Sequence, residues 1–174
     1  MLVLLSIFLI VVFVLLLFAI VIFFFQIVDV FLDLPYVATD RQKIDTIIKL
    51  AKIKKGETVI DLGSGDGRLL FAAAQRGAHA IGYEINPLLI VLTHIHAKLK
   101  GLAGQIELRR QNLWKADLAA ADVIFVYGRR KNMPKFEEFI YRNAQKGSRV
   151  VVNTNPFLNK EPQKVANDLF LYQV

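Results

Sequence analysis

The stretch Val59-Ile60-Asp61-Leu62-Gly63-Ser64-Gly65-Asp66-Gly67-Arg68 runs from a short apolar segment into a glycine-rich turn and on into a helical pattern. A strand that leaves through such a turn as a helix is the first half of a βαβ unit. Glycine at 63, 65 and 67 permits positive φ and close approach of a ligand to the backbone. Outward from this turn the pattern repeats. The spacing predicts strands over 58–62, 78–84, 105–109, 122–127 and 148–153, and helices over 68–75, 87–100 and 135–144, the second with Pro87 in its first turn. Segments 163–166 and 169–174 flank Asn167-Asp168, a two-residue hairpin signal. Strands alternating with helices indicate an α/β domain with an open, mainly parallel sheet. The terminal hairpin adds an antiparallel edge.

Upstream, the composition changes abruptly. The chain has 174 residues, 55% of them hydrophobic, with a mean hydropathy of +0.42. The excess lies in residues 1–26, which are interrupted only by Ser6 and Gln26. The remainder has the apolar share of an ordinary globular domain, about one half. A wholly soluble monomer, a disordered chain and a multi-pass membrane protein are therefore excluded as readings. The segment is long enough to cross a ~30 Å hydrocarbon core, and its insertion is favoured by roughly 10 kcal/mol. It lacks the basic start, short apolar stretch and small-residue site of a cleaved signal peptide. It reads as one transmembrane helix, an anchor over 1–26. A connector over 27–38 contains Pro35, and a folded domain occupies 39–174, opening with a helix capped by Thr39 or Asp40. The N-terminal flank has no Lys or Arg, whereas Arg41, Lys43 and Lys49 follow the span, which puts the domain on the cytoplasmic side.

All 22 Lys and Arg and all 15 Asp and Glu lie after Gln26, so the net charge of +7 belongs to the rest of the chain. A basic balance suits anionic partners as well as general solubility. The absence of cysteine excludes disulfides, thiolate chemistry and cysteine-based zinc sites. His94 and His96 diverge on a helix, so no metal is expected.

The glycine turn carries carboxylates at Asp61 and Asp66, which would repel a pyrophosphate. Its G-x-G-x-G spacing is neither the dinucleotide fingerprint nor a phosphate loop. A ligand with cationic groups and no phosphate fits better, as S-adenosylmethionine does with its ammonium and sulfonium. Glu84 ends the second strand, where an acid accepts ribose hydroxyl protons. Asn112 follows the third, where its amide suits an adenine edge.

Residues 58–128 resemble a class I S-adenosylmethionine-dependent methyltransferase. Pro35-Tyr36-Val37-Ala38-Thr39, the glycine turn, and Gly82-Tyr83-Glu84-Ile85-Asn86-Pro87 together resemble a narrower family. These are the lysine methyltransferases of ATP synthase c-subunit and the adenine nucleotide translocase, with their small prokaryotic relatives. The resemblance implies a Rossmann-like sheet in which Asp61, Gly63, Gly65 and Gly67 hold the methionine portion of the cofactor. It places Glu84 at the ribose, Asn112 at the adenine, and Tyr127 beside the acceptor as the catalytic position. Asn112 stands where the family usually has Asp, and Gly128-Arg129-Arg130-Lys131 replaces an apolar stretch with proline. The implied activity is membrane-anchored N-methylation of a lysine on a membrane protein. The alternatives are a methyltransferase for a membrane-soluble small molecule or lipid, and a non-catalytic S-adenosylmethionine-binding module. Nucleic acid as acceptor is disfavoured because no Asn/Asp-Pro-Pro-type motif follows strand four. Arg129, Arg130 and Lys131 either lower the pKa of an acceptor amine or form a solvated loop.

Overall fold

The computed structural model describes residues 2–31 and 41–174, with side chains over 3–24 and 43–174. Two compact units are present, Met1–Tyr36 and Val37–Val174. The first contains helix α1, Leu2–Phe31. This helix continues past the expected end at Gln26 and through Asp29, since Ile27, Val28, Val30 and Phe31 keep the segment mainly apolar and no Gly or Pro intervenes. Within it Val3–Phe24 is long and apolar enough to cross a membrane. The capping roles of Thr39 and Asp40, the stop at Pro35 and the 35–39 part of the family motif lie outside the described residues.

The second unit runs α2 (Arg41–Ala51), β1 (Thr58–Leu62), α3 (Arg68–Ala74), β2 (His79–Glu84), α4 (Pro87–Leu99), β3 (Ile106–Arg110), β4 (Val123–Tyr127), α5 (Met133–Asn143), β5 (Arg149–Asn153), β6 (Lys164–Ala166) and β7 (Leu169–Gln173). The strands form one sheet in the order β3-β2-β1-β4-β5-β7-β6. The first five pair in parallel, whereas β7 runs antiparallel to both β5 and β6. The mainly parallel α/β sheet with its terminal hairpin is thus as the alternation of elements implies. The hairpin turn is of the kind two-residue loops favour, with φ of 49° at Asn167 and 58° at Asp168.

Beyond shifts of one residue at the ends of most elements, two details differ from the sequence pattern. Helix α5 begins at Met133 rather than 135, since Pro134 fits the first turn of a helix and pulls its start forward. Two single-turn 3-10 helices, Leu113–Lys115 and Arg130–Asn132, add to the expected elements. Pieces of three residues carry no periodicity to read.

One core packs α2 and α3 onto the sheet. Ile47, Leu50 and Ala51 of α2 and Leu70 and Ala73 of α3 are buried with Val59, Phe125, Val151 and Leu169, which alternate along their strands. Arg149 at the start of β5 closes the lower edge. Its guanidinium donates to the carbonyls of Ala51 and Lys52 and pairs with Glu57 at 2.6 Å. That arrangement satisfies carbonyls left open at the end of α2. Because β1 to β5 are parallel, Leu62, Glu84, Arg110, Tyr127 and Asn153 all end at the same edge of the sheet. Strand β1 lies between β2 and β4, so the glycine turn leaves the sheet where the chain order reverses. Ligands of doubly wound sheets bind at this position.

Candidate active site

The turn after β1 is built almost entirely from backbone. The N–H groups of Gly63 and Ser64 both donate to the Tyr83 carbonyl at 3.0 Å, and Gly67 N–H donates to Ser64 O at 2.9 Å. The φ values of Gly63, Gly65 and Gly67 are 91°, 54° and 76°, so each occupies the left-handed region that disfavours side chains. Their surroundings differ. A Cβ on Gly63 would meet only Leu113 Cδ2, at 3.8 Å, leaving open space over the turn. A Cβ on Gly67 would come within 2.3 Å of Thr93 Cγ2. Thr93, buried on α4, also donates its hydroxyl to the Gly65 carbonyl at 3.3 Å. Sequence reading misses this positioning residue. Its signal is a lone hydroxyl among the apolar residues on the inner side of α4.

Glu84 is joined directly to the turn. Its Oε2 accepts from Gly65 N–H at 2.9 Å, and its Oε1 accepts from Ile85 N–H and Asn86 N–H, each at 2.8 Å. The expected ribose acid thus also fastens the loop to the end of β2. Asp66, the second carboxylate of the loop, is also paired with Arg68, whose Nε donates to it at 2.9 Å. Asp61 is 6% exposed. Burial pushes its carboxyl up to about 7, and the Glu84 and Asp66 carboxylates add to the shift. A carboxyl raised by desolvation and like charge becomes ionised when a cation arrives. The open space above Gly63 and this acidic cluster together fit a cationic ligand such as S-adenosylmethionine.

Asn112 lies beside this group, since the neighbouring Gln111 N–H donates to the Glu84 carbonyl at 3.1 Å. Its Oδ1 accepts from Trp114 N–H at 3.1 Å and caps the 3-10 turn, which leaves the amide nitrogen to donate to a ligand. Trp114 packs on Phe136 with centroids 4.5 Å apart, and the Lys135 ammonium sits 4.2 Å from the indole ring.

Tyr127 stands at the same sheet edge, across β1 from Glu84, and is 36% exposed. In register beside it is buried Asn153, whose Oδ1 accepts from the Thr154 hydroxyl at 3.0 Å. Asn155 then donates through Nδ2 to the Gly128 carbonyl at 2.8 Å, joining the loops after β4 and β5. Glu137 of α5 accepts from Leu158 N–H and Asn159 N–H and holds the rest of that loop. The sequence signal for these residues is the Asn-Thr-Asn-Pro run at a strand end, which the motif reading passes over. Arg129, Arg130 and Lys131 are exposed.

Residues 61–164 match the family model described as the ANTKMT methyltransferase domain. The chain is 30% identical over 135 residues to the human lysine N-methyltransferase of the ATP synthase c-subunit, covering 78% of this chain and 58% of that protein. It is 31% identical over 145 residues to mouse adenine nucleotide translocase lysine N-methyltransferase, covering 83% and 63% respectively. It thus spans about three fifths of the length of these relatives. Among solved structures, an RNA methyltransferase from Salinibacter ruber in complex with S-adenosyl-L-homocysteine superposes with a TM-score of 0.75 and 28% identity. That superposition covers 79% of this chain and 93% of the other.

Proposed function

The chain belongs to the ANTKMT methyltransferase family, and on that premise we propose that it is an S-adenosylmethionine-dependent protein-lysine N-methyltransferase. We place it at a membrane, held by α1, with a lysine of a membrane protein as acceptor. The observation that carries the reading is the acidic, open glycine turn, in which Glu84 holds Gly65 and Asp61 lies buried beneath.

When bound, S-adenosylmethionine supplies a methyl group activated on a sulfonium. Asp61, Gly63, Gly65 and Gly67 would hold its amino-acid end. Glu84 would take the ribose hydroxyls and Asn112 the adenine edge through its amide. Asp61 ionises toward the positive charge, and its penalty for being buried is offset there. Tyr127, with Asn153 beside it, would line the acceptor side and orient the amine. An acceptor lysine must be neutral, although a free one near pKa 10.4 is mostly protonated at pH 7. Desolvation between the loops after β4 and β5 lowers that pKa, and the exposed Arg129, Arg130 and Lys131 raise the local potential. In-line transfer leaves positioning as the protein's main contribution.

Incubation of the full chain with radiolabelled S-adenosylmethionine and membranes of its own cell tests this. The expected product is a labelled membrane protein band that yields methyl-lysine on hydrolysis, with the signal reduced in Tyr127→Phe. Label recovered only in extracted lipid or in RNA would overturn the lysine reading. A second reading, RNA as acceptor, is favoured by the likeness to the Salinibacter enzyme, which extends over 93% of that chain.

A further inference from the structure

Helix α4 presents an apolar stripe that none of the described residues of the domain covers. Its buried residues are Thr93 and Ala97, packed toward the glycine turn and the sheet. On the opposite side Val91, Leu92, Ile95 and Leu99 are exposed by 54%, 41%, 47% and 79%. At 3.6 residues per turn these four, with half-buried Leu88, fall on one line along the helix. His94 and Lys98 border the line on one side, and His96 and Lys100 border it on the other, where His96 lies edge-on to Phe71 and the exposed Lys100 ammonium is 5.9 Å from that ring. The segment 87–100 contains no Asp or Glu. Elsewhere in residues 43–174 the exposed large apolar side chains are Tyr127, Leu158 and Val165, scattered over separate elements. The stripe is therefore a concentration specific to one helix rather than ordinary surface.

We propose that α4 is an interfacial helix, and that this stripe lies in the headgroup region of an anionic bilayer while Lys98 and Lys100 at its borders contact lipid phosphates. An apolar face flanked by lysines is the pattern of helices that lie in the membrane plane, buried by roughly 5–10 Å. Lysine stems suit that position, since they follow apolar surface while their ammonium groups reach the headgroups. A second copy of the chain is a poorer occupant. Two α4 stripes face to face would bring like-charged borders together with no carboxylate on either helix to answer them. The chain also carries Val3–Phe24, a helix apolar enough to cross the same bilayer. The proposal shares the membrane with the lysine-methylation reading but not its chemistry. Its functional consequence is that α4, which carries Thr93 against the glycine turn, fixes which way the site faces relative to the lipid.

Because the chain has no cysteine, single-cysteine variants label uniquely. Ile95→Cys and, as a control on exposed β6, Lys164→Cys would each carry an environment-sensitive fluorophore in the full chain. Both would be reconstituted in phosphatidylcholine nanodiscs with roughly 30% phosphatidylglycerol, with and without spin-labelled lipid. Quenching by lipid roughly threefold greater at 95 than at 164 is expected, falling toward the control value with Lys98→Glu and Lys100→Glu added. Equal quenching at both positions would overturn the proposal, as would a 95 probe that is quenched by a second labelled copy but not by lipid. Leu99→Cys, at the most exposed position, repeats the measurement should Ile95→Cys fold poorly. The outcome does not depend on methyl transfer, so failure here and failure of the lysine assignment are read separately.

Discussion

Asp61 sits at a cost to the fold. Its carboxyl titrates near 7 in the folded protein against an ordinary 3.8, so between about pH 4 and 7 the folded state binds a proton that the unfolded state releases. Stability therefore falls as pH rises through that window, and the whole penalty is present above pH 7. Asp61→Asn removes it. The variant is expected to melt several degrees higher than the parent at pH 8, a gain on the order of 2–4 kcal/mol, and nearly at the parent temperature at pH 4. The same variant should bind S-adenosylmethionine more weakly by calorimetry. A melting temperature at pH 8 that drops instead would show that the carboxylate is satisfied within the protein rather than held ready for a cation. Gly67 supplies a second residue-scale prediction. Gly67→Ala meets both a left-handed φ, costing about 1–2 kcal/mol, and the Thr93 methyl at 2.3 Å. Thr93→Ser removes that methyl and keeps the hydroxyl bonded to Gly65, so the double variant should recover part of the steric loss, with the hydroxyl oxygen at 3.2 Å and Phe71 Cζ at 3.3 Å still close, and retain the strain. Additive losses in denaturant melts would exclude direct contact between the two positions.

Most elements are legible in the sequence because glycine and proline mark their ends. Strand β1 begins and ends where the apolar run does, β2 stops at the acid before Asn86-Pro87, and α4 starts with the proline its fixed φ suits. The geometry of the candidate site is legible in part. Gly63, Gly65 and Gly67 lie in one stretch and Glu84 at the next strand end, and the sheet joins the two through the Gly65–Glu84 bond. What is not legible depends on contacts between residues distant in sequence. Thr93 meets the turn from 28 positions away, Arg149 reaches back to Ala51, and Asn155 meets Gly128 across two loops. A single sequence carries no mark of such pairs. The terminal hairpin combines both kinds of information. Its turn is a local signal, yet the Asp168 carbonyl accepts from Thr154 N–H at 2.7 Å, so the hairpin tip also holds the loop beside Asn153. Asp168→Val forces a β-branched residue to a φ of 58° and should cost about 1–2 kcal/mol. Amide exchange at Thr154 should quicken along with that at β7. Unchanged protection at Thr154 would disconnect the hairpin from the loop after β5.

The whole chain joins two units of different composition, and the division has a consequence that can be measured. Removing residues 1–36 is expected to leave a folded protein, because the core of Val37–Val174 is drawn from α2, α3 and the sheet. Its cofactor affinity should stay close to that of the full chain, since every residue proposed to touch S-adenosylmethionine lies between Asp61 and Asn112. Its rate on an acceptor in membranes should fall, because a tether raises the local concentration of domain at the surface. The loss should be partial. The basic balance of the remaining chain and the apolar stripe of α4 both retain affinity for anionic lipid, at about 1 kcal/mol per basic residue near the surface. That residual affinity should weaken as salt shortens the ~10 Å screening length at 0.1 M. Sedimentation with anionic vesicles over a salt series, run beside the rate assay, separates the two contributions. Truncation that leaves the membrane rate unchanged would assign membrane targeting to the domain alone. Truncation that abolishes cofactor binding would mean that residues 1–36 belong to the methyltransferase fold itself.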